Sequence, residues 1–251
     1  MSGGGKGLGK GGSSAYSVVL HLYDHCPFCI RVDLALGWAN VNYQRKLYGY
    51  GDIEGPKALT GEKVLPVLEL NDKQTGEKQL LRESLDIIGK LNADGWLEEN
   101  PLSPRSVDET LKKWESEFQP LHQTLTRPRV IKLPPEVAVD FATEADRTYQ
   151  MNKYTKKGFD YDAAWAKSDE TKEAVAKSLN RLAEILEERN ESSSTLTLSG
   201  GEKYDMNDCI YLPDLRRLTC VKEVKWPPIV RKYVDDACKA AGVVTYDSWS
   251  C

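Results

Sequence analysis

Two cysteines, Cys26 and Cys29, separated by Pro27 and Phe28, are the residues of this 251-residue chain whose type and spacing point most directly to chemistry. An apolar run, Val18-Val19-Leu20 with Leu22, leads into them, and Ile30 to Leu36 follows with apolar positions at helical spacing. The pair therefore falls where a strand ends and a helix begins. The first N–H groups of a helix have no partner inside it and the helix dipole is positive there, so a thiolate at that place is stabilised. Cys26 is expected to ionise more readily than a free cysteine, which titrates near ~8.5. Cys29 can reach the same sulfur, so a disulfide formed by attack of Cys26 can be resolved within the motif. Pro27 suits the first helical turn, where the hydrogen it lacks would have had no acceptor.

A Cys-x-x-Cys in this setting reads as a thioredoxin-like redox site. A structural zinc site would need about four ligands. The sequence holds neither a second Cys-x-x-Cys nor a His pair to complete one, so no metal is expected. An attached haem would need a histidine after the second cysteine, whereas His25 precedes the first. Two small core residues would leave Asp24-His25 unexplained. His25 adjoins Cys26, and an imidazolium there would favour the thiolate; a tuning role and a bland one both stay open for it.

The elements that must position these residues follow from pattern. Residues 1–15 are too rich in glycine to order themselves and are expected to form a tail. A phosphate loop does not fit there, because Gly11 stands where Ser or Thr is needed. From 16 to 92 the order reads strand (Val18 to Tyr23), helix (Pro27 to Ala39), strand (Asn42 to Leu47), helical turn (Ile53 to Leu59), then a hairpin of Val67 to Leu70 and Lys78 to Leu81, and a last helix capped by Ser84. This is an α/β thioredoxin-like domain. Residues 93–106, broken by Gly95, Pro101 and Pro104, read as a linker. Residues 107–251 read as an all-helical domain. Val107, Leu111, Trp114, Phe118, Leu121 and Leu125 mark a long helix that Pro120 should bend and whose exit Arg127-Pro128-Arg129 and Pro134-Pro135 punctuate. Val137, Phe141, Ala145 and Tyr149 mark the next, and Trp165 with Val175, Leu179, Leu182 and Leu186 a later one. Asp205 and Asp208 read as a capping box, and Pro228 as the start of the final helix.

A net charge of −4 speaks against a nucleic-acid partner, and no apolar run is long enough to span a membrane. Six cysteines in a chain this long do not make a disulfide scaffold. Cys209, Cys220 and Cys238 are expected to be inert packing residues and Cys251 an exposed thiol, consistent with a cytoplasmic protein. Trp114, Trp165 and Trp226 are read as core packing. Arg127 and Arg129 could contact an acidic substrate or simply cap their helix.

Two further features suggest a ligand. Pro66 stands immediately before a strand, where a cis bond would leave the backbone of Leu65 free to pair with an extended peptide lying against Cys26. Ser84, with the N–H groups behind it, could hold a carboxylate and Glu83 an ammonium, which together describe the γ-glutamyl end of glutathione. Equally, Ser84 is a plain cap and Glu83 a first-turn acid.

Cys26-Pro27-Phe28-Cys29, Val64-Leu65-Pro66 and Glu83-Ser84, in this order, resemble the glutathione site of the glutaredoxin and glutathione-transferase superfamily. Tyr23-Asp24-His25-Cys26 with Arg82-Glu83-Ser84-Leu85-Asp86-Ile87, and at the far end Asp214-Leu215-Arg216-Arg217-Leu218-Thr219 with Lys225-Trp226-Pro227-Pro228, are similar to the long glutaredoxin 2 family of bacteria. The resemblance implies a glutathione-transferase-like two-domain fold and a glutathione-dependent thiol–disulfide oxidoreductase acting on disulfide-bonded or glutathionylated proteins, as a monomer. Cys26 would attack and Cys29 or glutathione would resolve. Leu65 and Pro66 would hold the glutathione backbone, Glu83 and Ser84 its γ-glutamyl end, and Phe28, commonly tyrosine in the family, would floor the site. A thiol-type glutathione transferase or a dehydroascorbate reductase is the rival enzyme. An iron–sulfur-cluster or membrane-associated binding module is the rival that is no enzyme.

Overall fold

The computed structural model describes residues 15–98, 100, 102 and 108–251. Most of the expected tail, much of the expected linker and Val107 lie outside them. The first part is built from β1 (Tyr16–Leu22), α1 (Pro27–Trp38), β2 (Gln44–Leu47), α2 (Glu54–Thr60), β3 (Val67–Asp72), β4 (Lys78–Arg82) and α3 (Ser84–Ala93). The sheet runs in the order β2-β1-β3-β4, with β1 parallel to β2 and the other pairs antiparallel. β1 is interior and buries Leu20 and Leu22, so its C-terminal end delivers the chain to the centre of the molecule. The arrangement is a thioredoxin-like domain with a mixed sheet.

The remainder is helical: α4 (Glu109–Val130), a 3-10 turn (Val139–Phe141), α5 (Glu144–Thr155), α6 (Tyr161–Ala166), α7 (Ser168–Arg189), α8 (Met206–Leu218), α9 (Pro228–Ala241) and a last 3-10 turn (Asp247–Trp249). α1 is packed by α3 on one side and by α8 and α9 on the other. That explains why Ile30, Val32, Leu34, Ala35 and Leu36 are all buried on a single helix: a helix apolar around its circumference has no solvent face. Trp38 fixes the contact by donating from Nε1 to the Ala237 carbonyl at 2.9 Å. At Gly37 a Cβ would lie 2.1 Å from the Ala241 carbonyl oxygen, so a side chain there would push α9 away.

Several expectations need correction. α4 passes through Pro120 and Pro128 and ends at Val130, between the two proline signals that mark its exit. The carbonyls that these prolines leave without a donor belong to Ser116, which is exposed, and Thr124, which is half-buried on the same flank. Val137 and Phe141 do not begin α5. Thr143 caps that helix in a reciprocal box with Asp146, and Phe141 sits in the separate 3-10 turn before it. The helix expected from Trp165 to Leu186 is two, α6 and α7, and Trp165 is no core residue: it is 40% exposed, with Arg129 and Lys132 over its ring. Ser84 is not the cap of α3. Glu83 occupies that position with φ 62° and makes no side-chain cap bond. Asp205 and Asp208 form the expected capping box of α8. Among the described residues no helix is long and apolar enough to cross a membrane.

Candidate active site

β1 ends one residue before Tyr23, and Cys26 is the N-cap of α1 with Pro27 behind it at the first helical position. The turn closes through the Cys26 N–H on the Tyr23 carbonyl at 3.2 Å. Cys26 is half-buried and Cys29, one turn on, is fully buried. The Cys29 thiol donates to the Cys26 sulfur, His25 adds a favourable charge, and the N–H groups of Cys29 and Phe28 point at it. Against the cost of burial, these pull the Cys26 thiol down to about 6. Burial, reinforced by Cys26 itself, pushes the Cys29 thiol well above its ordinary value. One motif thus holds an ionised sulfur at the surface and a protonated one beneath it.

The segment ahead of Cys26 is clasped by the helical domain. Asp140, fully buried in the 3-10 turn, accepts from the Asp24 N–H at 2.9 Å and the His25 N–H at 2.6 Å, and its Oδ2 also lies 2.6 Å from His25 Nδ1. The His25 ring is packed edge-on against Tyr50 and lies tilted against Phe141. Asp24 in turn meets Arg216 of α8: Nη2 reaches its carboxylate at 2.8 Å and Nη1 its carbonyl at 2.9 Å. Tyr246 donates to the same carboxylate at 2.5 Å. Burial alone would raise the Asp24 carboxyl, but Arg216, Tyr246 and Arg45 hold it below its ordinary range. Arg216, in the far-end motif, therefore fixes the backbone next to the nucleophile.

Cys26 opens onto a cleft of about 360 Å³ between the two domains. Cys26, Pro27, Phe28, Val64 and Leu65 line the first-domain side. The Leu65–Pro66 bond is cis, and Leu65 makes no backbone–backbone hydrogen bond among the described residues. Phe28 is 52% exposed beside the cleft, with the Arg31 guanidinium 4.8 Å from its ring centroid. Glu83, exposed, and Ser84, buried at the first position of α3, are not part of the cleft wall. His21 is buried in β1 between Tyr48 and Glu69, away from the sulfurs.

Sequence reasoning missed much of the remaining lining. Gln119, Gln123 and Arg127 come from α4, Tyr149, Lys153 and Tyr154 from α5, Arg217 from α8, and Tyr50 and Lys63 from loops of the first domain. One signal was available: Gln119, Gln123 and Arg127 recur every four residues, a polar stripe along one line of the helix. Of the two arginines considered, Arg127 reaches the cleft. Arg129 is buried against the Leu125 and Cys251 carbonyls and the Ser168 hydroxyl. Cys209, Cys220 and Cys238 are buried, with burial raising each thiol, and Cys251 is exposed.

The family described as "Glutaredoxin 2, C terminal domain" matches residues 110–250, more than half of the chain, and "Glutathione S-transferase, N-terminal domain" matches residues 20–94. Glutaredoxin 2 of Escherichia coli is 25% identical over 220 residues, covering 88% of this chain and 94% of its own. Among solved structures, Glutaredoxin 2 from Salmonella typhimurium in complex with glutathione superposes with a TM-score of 0.79 at 23% identity, over 94% of this chain and 99% of that one. The glutathione transferase GSTFuA3 from Phanerochaete chrysosporium gives 0.65 at 14% identity, over 91% and 98%. These structural likenesses are likenesses of fold.

Proposed function

As a member of the glutaredoxin 2 family this chain is a glutathione-dependent thiol–disulfide oxidoreductase, and we propose that Cys26 is its attacking thiolate and Cys29 its internal resolving thiol. The observation that carries this reading is the half-buried Cys26 at the N-cap of α1, open to the cleft, with the buried Cys29 one turn behind it.

With a glutathionylated protein, the Cys26 thiolate attacks the glutathione sulfur. The S–S bond breaks, the electron pair leaves on the protein sulfur, which takes a proton, and Cys26 is left in a mixed disulfide with glutathione. A second glutathione thiolate attacks that glutathionyl sulfur, which yields oxidised glutathione and returns Cys26 as thiolate. With a protein disulfide, Cys26 first becomes linked to the substrate. Cys29 then attacks the Cys26 sulfur, expels the second substrate thiol and leaves a Cys26–Cys29 disulfide, which two glutathione molecules reduce. The rise in the Cys29 thiol fits this order. Most of it is burial; a smaller part comes from Cys26, and that part vanishes once Cys26 is in a disulfide, which eases ionisation of Cys29 at the step where it is needed.

In this reading Leu65 and Pro66 present the free backbone to glutathione, Glu83 and Ser84 receive its γ-glutamyl end, Phe28 borders the sulfur and His25 favours the thiolate. Glu83, the N-cap of α3 in a left-handed conformation, is held in a geometry that non-glycine residues adopt mainly under constraint. The glutathione bound to the Salmonella relative supports glutathione as reductant. We further take residues 16–92 and 107–251 as the two domains, joined by 93–106, the substrates as disulfide-bonded or glutathionylated proteins, and the protein as a cytoplasmic monomer. The test is turnover of 2-hydroxyethyl glutathione disulfide coupled to glutathione reductase. Steady consumption of NADPH is expected, and an inactive wild type would overturn the assignment.

A further inference from the structure

The cleft in front of Cys26 has one sign of charge. Lys63, Arg127, Lys153 and Arg217 line it together with His25, and no Asp or Glu is in its wall, although the chain as a whole carries −4. Lys63, Arg127 and Lys153 have no carboxylate partner within ion-pair distance among the described residues; of the four, Arg217 alone does, with Asp214 at 3.3 Å. The three are held instead against aromatic faces. Lys63 Nζ lies 3.3 Å from the Tyr149 ring centroid, Arg127 lies 4.1 Å from Tyr154 and 4.9 Å from Phe159, and Lys153 lies 5.0 Å from Tyr50. A cation over a ring is attracted to its face and keeps its full charge, so these contacts orient the positive groups without neutralising them. Burial lowers Lys63 to about 8, against the opposing pull of Asp52 and Asp146, and lowers Lys153 as well.

Geography divides the four. Lys63 adjoins Val64 and Leu65, on the side read above as the glutathione subsite. Arg127 and Lys153 project from α4 and α5, on the side left for the other half of a mixed disulfide. We propose that Arg127 and Lys153 form the docking site for the protein half of the substrate and select cysteines flanked by acidic residues. This rests on the oxidoreductase reading above and adds a substrate class to it. A cleft of one charge between low-dielectric walls focuses its field outward, so an acidic segment is drawn to the reacting sulfur and a basic one is turned away.

The test uses the full chain and two peptides of equal length, each glutathionylated on a single cysteine, one flanked by glutamates and the other by lysines, with 2-hydroxyethyl glutathione disulfide as reference. The acidic peptide is expected to have a kcat/KM about tenfold above the basic one at low salt, and the ratio should shrink as salt rises. In the double variant Arg127→Gln/Lys153→Gln the ratio should fall to about one. Equal kcat/KM values for the two peptides in the wild type, or a ratio that survives the double substitution, would overturn the proposal while leaving the oxidoreductase intact. A wild type inactive on the reference compound as well would overturn both.

Discussion

Replacing Cys26 by serine should abolish turnover of glutathione mixed disulfides, whereas replacing Cys29 by serine should leave most of it. The asymmetry follows from where the sulfurs sit. Cys26 stands at the cleft with two N–H groups and the Cys29 thiol directed at it, so it is the sulfur that a substrate can meet as a thiolate. Cys29 is buried, keeps its proton and touches Tyr23 through the backbone N–H at 3.4 Å. A hydroxyl in place of the Cys26 sulfur has no useful nucleophilicity at neutral pH, so a fall of at least about a thousandfold is expected for Cys26→Ser. Cys29→Ser should instead lose activity on protein disulfides, where the second thiol must come from within the motif. Coupled assays with 2-hydroxyethyl glutathione disulfide and with a disulfide-bonded protein separate the two roles. Full activity of Cys26→Ser on either substrate would contradict the assignment.

The second large effect concerns stability. Arg216→Met should lower the free energy of unfolding by about 3–5 kcal/mol, because it leaves the Asp24 carboxylate buried beside Cys26 without its main partner. Arg216 also donates to the Val244 carbonyl at 2.7 Å and to the Tyr246 hydroxyl at 2.8 Å, so the loss loosens the C-terminal segment too. Neutralising the acid in the same chain, Asp24→Asn/Arg216→Met, should recover part of the loss, since no charge is then left alone. Urea denaturation of the wild type and both variants measures the two effects. A loss below about 1 kcal/mol in the single variant would mean that solvent reaches Asp24 and that the clasp is weak.

The N-terminal half was largely legible because its signals are local. Strand alternation, Pro27 at a helix start and Pro66 before a strand each depend on a few neighbouring residues. The capping box at Asp205 was legible for the same reason. Less could be read where structure depends on distant packing. Nothing near Asp140 in the sequence marks it as the acceptor for the Asp24 and His25 amides, more than a hundred positions away. The apolar spacing of Val137, Phe141, Ala145 and Tyr149 suggested one helix, but the Thr143–Asp146 box stops it and places Phe141 against His25 instead. Residue type alone points Trp165 to the core, whereas its ring is a platform for Arg129 and Lys132 at the surface. The cleft's cations were the least visible, because they come from three helices and a loop that only the folded chain brings together.

The measurement that bears most directly on the central claim is the rate of iodoacetamide alkylation of Cys26 against pH, with the modified cysteine identified by peptide mass spectrometry. Only the thiolate reacts, so the rate follows its ionisation. With the thiol lowered to about 6, reaction should be slow in acid, rise with pH through that midpoint and level off about one unit above it. Cys29→Ala, which removes the largest lowering contribution, should move the midpoint upward. A wild-type midpoint near ~8.5, or alkylation falling first on another cysteine, would contradict the account of Cys26 as the activated nucleophile.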